Sequence, residues 1–154
     1  MIGLISDTHG LVRPEVHEAL AGVELILHAG DVGGDDVLLE LETIAPVRAV
    51  FGNTDPPSTA GLANEIVHTV GGIRIHVSHG HELGTPTPAA LLAAYPHEVL
   101  VYGHTHQQLV TRADGRLVVN PGAAGAGRFK LEPCVARLTI RGTRADVQLV
   151  VLRS

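Results

Sequence analysis

Short, nearly unbroken apolar runs punctuate the chain, and several of them end in a cluster of glycine and polar residues. Residues 2–6 form such a run without polar alternation, the pattern of a strand covered on both faces. Runs at 23–28, 47–51 and 99–102 repeat it. Between the first two, Pro14 opens a helix reaching about Ala21, with Val16, Ala19 and Leu20 turned inward and Gly22 stopping it. Between the next two, Asp35 or Asp36 is placed to cap a helix whose apolar stripe is Val37, Leu38, Leu41 and Ile44. Residues 56–64 read as a loop. Two runs joined through Gly71-Gly72 predict a hairpin over 66–77, and Asp114-Gly115 predicts a second between 108–111 and 117–119. Thr87-Pro88 marks the start of a helix over 89–95. Runs at 135–140 and 147–152 alternate more cleanly, with Arg137, Thr139 and Gln148 outward, as antiparallel strands with one wetter face do.

A chain of 154 residues is most simply one domain, here 1–154, with a real hydrophobic core. Aromatics supply only 3% and there is no Trp, so Val, Leu, Ile and Ala must build that core. The formal charge of −5 argues against an extended nucleic-acid-binding surface, while leaving room for a small anion at a locally positive site. Cys134 is the only cysteine, which rules out an intrachain disulfide and a thiolate metal site, and it reads as a buried, inert thiol. The chain opens directly on Met-Ile-Gly-Leu-Ile-Ser-Asp, with no signal-like segment. Nor does any stretch reach the ~18 apolar residues of a membrane span. The expectation is a cytoplasmic protein with no membrane partner.

Chemistry enters with the polar clusters. Gly103-His104-Thr105-His106 follows the run at 99–102 and presents two imidazoles, common neutral ligands for borderline metals. Four more clusters begin at Asp7, Gly30, Gly52 and His79, each directly after an apolar run. In open α/β sheets the strand ends face one crevice, so residues that follow the strands converge. Alone, Asp7 is a helix cap and Gly30-Asp31 or Gly52-Asn53 a turn. Five such clusters, all bearing N or O donors, point to one site.

Taken in order, Asp7-x-His9, Gly30-Asp31, Gly52-Asn53-x-Asp55, His79-Gly80-His81 and Gly103-His104-x-His106 resemble the signature of the calcineurin-like metallophosphoesterases. The short chain and the Asn120-Pro121-Gly122 loop are similar to the family's small bacterial and archaeal phosphodiesterase branch. The resemblance implies a four-layer α/β/β/α sandwich of two mixed β-sheets. It implies two divalent ions, manganese first, with iron, nickel, zinc or cobalt as alternatives. Asp7, His9, Asp31 and His106 would hold one ion, and Asp31, Asn53, His79 and His104 the other, with Asp31 bridging. The implied activity is hydrolysis of small phosphodiesters by a metal-bridging hydroxide, with Asp31 and Asn53 in the catalytic set. The implied partner is a small anionic phosphoester.

Thr54 stands where many phosphatases of this superfamily carry a histidine suited to protonating the leaving group, which makes His81 the candidate general acid. Asp55 is expected to orient a ligand histidine by accepting its free N–H. Arg128 is a candidate for the substrate phosphate. His28 and His76 should be packed, and His17, His68 and His97 should lie on the surface. Two alternatives stay open: a non-catalytic interaction scaffold on this fold, as in the retromer coat, and a nuclease or phosphomonoesterase.

Overall fold

The computed structural model describes residues 1–125 and 131–153. Two mixed sheets form the centre. The first has the order β11-β10-β1-β2-β3-β4, built from β1 (Ile2–Ile5), β2 (Leu25–His28), β3 (Val47–Val50), β4 (Leu62–Ala63), β10 (Cys134–Arg141) and β11 (Arg144–Val151). Its members β1 to β4 run parallel, and β10 lies antiparallel to β1 and to β11. The second has the order β5-β6-β7-β9-β8, built from β5 (Ile66–Val70), β6 (Ile73–Val77), β7 (Val99–Val101), β8 (Leu109–Ala113) and β9 (Arg116–Asn120). There β6, β7 and β9 are parallel, and the hairpin partners β5 and β8 are antiparallel to them.

Alternation along the strands divides the apolar residues among three cores. Leu4, Leu27, Val50, Ile75, Val101 and Val119 meet between the sheets. Ile5, Ile26, Ala49 and Val135 face α1 (Pro14–Ala19) and α2 (Asp35–Glu42), which contribute Val16, Val37 and Leu41. Leu100, Tyr102 and Val118 face Leu91 of α3 (Pro88–Ala94). The result is the expected α/β/β/α layering, with buried residues on both faces of β1, β2 and β7.

Thr87 caps α3 by accepting the Ala90 N–H at 3.1 Å, with Pro88 in the first turn. Asp114 and Gly115 both take positive φ in the β8–β9 turn. Three expectations are corrected. Gly34, at a positive φ of 126° that suits glycine, precedes α2 in place of an Asp cap, and Asp35 and Asp36 occupy the first turn, where their charge suits the helix dipole. Leu62–Ala63 pairs with β3 as a two-residue strand inside the expected loop. His97 is half-buried, its ring 4.8 Å from that of His76. Arg137 lies on the helix-facing side of β10 and donates to the carbonyls of Ala19 and Ala21, satisfying the end of α1. No helix among the described residues is long and apolar enough to cross a membrane.

Candidate metal centre

Among the described residues six non-glycine positions have positive φ, and five of them are Asp7, His9, Asp31, His104 and His106. The left-handed region costs a non-glycine residue roughly 1 kcal/mol or more, so its concentration at one place marks a functional constraint. Each of the five follows a strand and bends the chain back so that its side chain aims over the strand ends. Glycines make room for this. A Cβ on Gly52 would overlap the Asp31 carboxylate, and one on Gly103 would overlap Ser6 Oγ and Asp7 Oδ2.

The donors converge. Asp7 Oδ2 accepts from the Ser6 hydroxyl at 2.6 Å and the His104 N–H at 3.2 Å. Among the described residues, Asp7 Oδ1 is buried without a hydrogen-bond partner, 3.3 Å from His106 Nε2 and 3.9 Å from His9 Nε2 and His79 Nε2. Asp31 Oδ1 accepts the Thr54 N–H at 2.9 Å, while Oδ2 lies 3.2 Å from His79 Nε2 and 3.7 Å from His9 Nε2. Asn53 Oδ1 is 3.0 Å from His79 Nε2 and 3.2 Å from His104 Nδ1. All seven expected ligands therefore surround one cleft. Two subsets are close enough to share an ion: Asp7, His9 and His106, and Asp7, Asp31 and His79. Asp7 belongs to both subsets and Asp31 to the second, where its Oδ2 also lies 3.7 Å from His9 Nε2.

The donor set fits divalent cations. An orphaned buried carboxylate oxygen is costly unless a cation or proton meets it. His79 Nδ1 donates to the Ala29 carbonyl at 2.8 Å, which turns Nε2 toward the cleft as an acceptor, the usual support for a ligating histidine. Burial alone would raise the Asp31 carboxyl, but the His79 contact and the Thr54 N–H hold it well below the usual carboxylate range. Burial likewise works against a proton on His79, and the neighbouring Asp31 and Asp7 outweigh it and push its pKa up. The paired carboxylates thus make a place for positive charge.

The structure corrects the role of Asp55. Its carboxylate accepts backbone N–H groups from Val32 and Gly33 at 3.1 Å and from Gly52 at 2.9 Å, and no histidine reaches it within hydrogen-bond distance. It clamps the loop after β2 to the loop after β3, which carry Asp31 and Asn53. Asn120 does similar work: its amide donates to Gly103 O and Thr105 Oγ1, and its Oδ1 accepts the Gly122 N–H. His28 is packed, as expected, and takes one tautomer. Thr8 Oγ1 spends its proton on Val32 O, so His28 Nε2 donates to Thr8 Oγ1 at 3.0 Å and Nδ1 accepts the Gly30 N–H at 3.1 Å. These supports escape the sequence, where only the Asn120-Pro121-Gly122 tripeptide and the Asp55 spacing hint at ordered turns.

His81 is exposed at the rim, its ring 5.3 Å from that of His79 and 6.4 Å from that of His104. It belongs to neither ligand subset. Thr54 is exposed beside Asn53. Arg128 falls outside the described residues. His76 is fully buried, with Nε2 2.7 Å from Glu65. His17 and His68 sit toward the surface beside Glu40 and Arg48. Burial pushes the Cys134 thiol up to about 11, as an inert strand thiol requires.

Comparison with known proteins gives the chain its family and its fold relatives. The family model described as "Calcineurin-like phosphoesterase superfamily domain" matches residues 1–143. A Methanothermobacter thermautotrophicus protein named "Probable metallophosphoesterase" is 35% identical over 97% of this chain and 91% of its own. A phosphodiesterase of Methanocaldococcus jannaschii is 27% identical over 79% of this chain and 82% of its own. The crystal structure of Chaetomium thermophilum Vps29 superposes with a TM-score of 0.83 at 22% identity, covering 98% of this chain and 95% of that one.

Proposed function

The chain belongs to the calcineurin-like phosphoesterase superfamily, and from that premise we propose that it is a metal-dependent phosphodiesterase acting on small phosphodiesters at a two-metal centre. The observation that carries the reading is Asp7 Oδ1, buried without a partner among the described residues and faced by the Nε2 atoms of His9, His79 and His106. Asp7, His9, Asp31 and His106 are assigned to one ion, and Asp31, Asn53, His79 and His104 to the other, with Asp31 shared. Two divalent ions bound there would supply a water nucleophile at neutral pH and neutralise charge in an in-line displacement. The protein's part is positional. The Ser6 hydroxyl and His104 N–H fix the Asp7 carboxylate, Ala29 O fixes His79, and Asp55 locks the loops of Asp31 and Asn53.

Manganese is the first ion to test among manganese, iron, nickel, zinc and cobalt. The two carboxylates leave residual positive charge on such a pair, which favours an anionic ester. The net charge of −5 weighs against long nucleic acids as substrates. A buried lone thiol suits a reducing cytoplasm. The Vps29 likeness, at 22% identity, speaks to fold alone, and a scaffold needs no complete donor set held in strained backbone. The test is hydrolysis of bis(p-nitrophenyl) phosphate and p-nitrophenyl phosphate by chelator-stripped protein with and without added manganese. Metal-dependent release from the diester supports the reading. Tight manganese binding with no turnover of either ester would favour the scaffold.

A further inference from the structure

A cavity of about 450 Å³ opens beside the metal centre between two walls. One wall is Phe51, Asn64 and Glu65, from the end of β3 and the start of β5, and the other is His81, Glu82 and Tyr95. It neighbours the ligand loops: Phe51 lies two residues before Asn53, and His81, on the opposite wall, has its ring 5.3 Å from that of His79. Its two walls are thus rooted in the loops that carry Asn53 and His79.

Its walls have a definite chemistry. Phe51 offers an aromatic face. Tyr95 is fixed, stacked at 3.9 Å on buried His76 and donating its hydroxyl to Glu82 Oε2 at 2.7 Å. Glu82 Oε1 accepts the Gly80 N–H at 2.9 Å. Burial alone would raise the Glu82 carboxyl, but these two donors hold it below its ordinary value, so it stays ionised. Glu65 has one oxygen on His76 Nε2 at 2.7 Å, and its side chain is 59% exposed, leaving the other oxygen open to the cavity or solvent. Among the described residues, those that line the cavity include two carboxylates and no Lys or Arg. A second phosphate or a carboxylate would be repelled there, and an ammonium group would be attracted over an aromatic face.

We propose that this cavity seats one arm of the diester and selects an arm ending in an ammonium group, with Glu65 as its counter-ion and Phe51 as its apolar wall. The proposal rests on the phosphodiesterase reading for its phosphate end only. It is tested with p-nitrophenyl phosphodiesters whose second arm is 2-aminoethyl, n-propyl or 2-carboxyethyl, under one manganese loading. The leaving group is constant, so differences report the arm. The expected order of kcat/KM is aminoethyl, propyl, carboxyethyl, spanning about tenfold or more between the ends, the scale of a partly exposed charge pair. In Glu65→Gln the ratio of aminoethyl to carboxyethyl should fall by about threefold or more, and in Phe51→Ala all arms with an alkyl stem should lose affinity. A second readout needs no turnover. Metal-free protein is titrated with 2-aminoethyl methylphosphonate and n-propyl methylphosphonate while the Phe51 and Tyr95 ring resonances are followed by NMR. Saturable shifts at both rings from the aminoethyl probe, weakened in Glu65→Gln, support the site even if no ester is hydrolysed, in which case the hydrolase reading alone fails. Equal kcat/KM for the three arms, or ring shifts that do not distinguish the two probes, would overturn the proposal and leave the hydrolase reading standing.

Discussion

His9 Nε2 and His106 Nε2 stand 3.4 Å apart, and both lie within 3.9 Å of the unpartnered Asp7 Oδ1. Two imidazole nitrogens at that separation repel unless a proton or a cation lies between them. A divalent ion satisfies both nitrogens and the orphaned oxygen together. On the proposed two-metal assignment, elemental analysis of manganese-loaded protein should approach two ions per chain, one for each candidate subset. His106→Ala and His104→Ala should fold and each lose at least about a hundredfold in hydrolysis, since each deletes a proposed ligand. A plateau at one ion with full activity would remove the bridging role of Asp31.

Asp31 and Asp55 provide a graded comparison, because one faces the cleft and the other faces backbone. Asp55→Asn keeps the shape but turns an amide N–H toward backbone donors, at a cost of about 2 kcal/mol of stability. It should weaken metal retention through the loosened loops that carry Asp31 and Asn53. Asp31→Asn should cost more activity and less stability. Thermal unfolding read beside kcat for the two variants decides it. Equal activity losses with unchanged stability would contradict the clamp.

The strands and the convergence of the polar donors were legible for the same reason. Covered parallel strands are apolar without alternation, and a polar donor at the end of such a run has little local reason to be there, as at Asp7, Asp31 and His79. What escaped depends on contacts between distant segments. Asp55 reaches Val32 and Gly33 across the loops, Arg137 reaches the end of α1, and His97 is covered by its stack with His76. No local pattern encodes these. The short β4 escaped because two residues carry no periodicity, and pairing with β3 alone makes Leu62–Ala63 a strand.

Gly103 tests whether close approach is required at the site. A Cβ there would overlap Ser6 Oγ and Asp7 Oδ2, whereas one on Gly72 meets nothing within 4 Å. Gly103→Ala should displace the Asp7 carboxylate, lowering metal content and Tm together. Gly72→Ala, in the β5–β6 turn, should change neither by more than the surface range of about 0.5 kcal/mol. Metal content retained in Gly103→Ala would show that the turn relaxes without moving Asp7.

His28 links stability to pH. Burial pushes its pKa down from 6.5 to about 4, and its Nδ1 is already occupied by the Gly30 N–H. The unfolded chain thus binds the proton that the folded chain refuses. Stability from this group is fully present above pH 6.5 and is lost as pH falls toward the folded value, by about 3 kcal/mol in total. Urea unfolding of metal-free protein should lose about 2 kcal/mol more between pH 7 and pH 5 in the wild type than in His28→Gln, which cannot titrate. Parallel pH profiles for the two proteins would exclude His28 as the source.

Thr54 governs the leaving group. An alkoxide departing from phosphorus needs a proton or strong charge stabilisation, and a positioned general acid contributes ~10²–10⁴-fold. Thr54 sits exposed beside Asn53, with its N–H committed to Asp31 Oδ1 at 2.9 Å, and its hydroxyl cannot act as an imidazolium does. His81, the other candidate, stands at the rim with its ring 5.3 Å from that of His79. Without a fixed acid, the rate should depend steeply on leaving-group acidity, with aryl diesters far ahead of simple alkyl diesters. Thr54→His should then help alkyl substrates more than aryl ones, flattening the dependence. A leaving-group series on wild type, His81→Ala and Thr54→His at equal metal content measures this. A flat wild-type dependence that steepens in His81→Ala would identify His81 as the acid and defeat the prediction, because the rim histidine would then reach the leaving oxygen once substrate is bound. A steep dependence unchanged in His81→Ala and relieved in Thr54→His would place the missing proton donor at position 54.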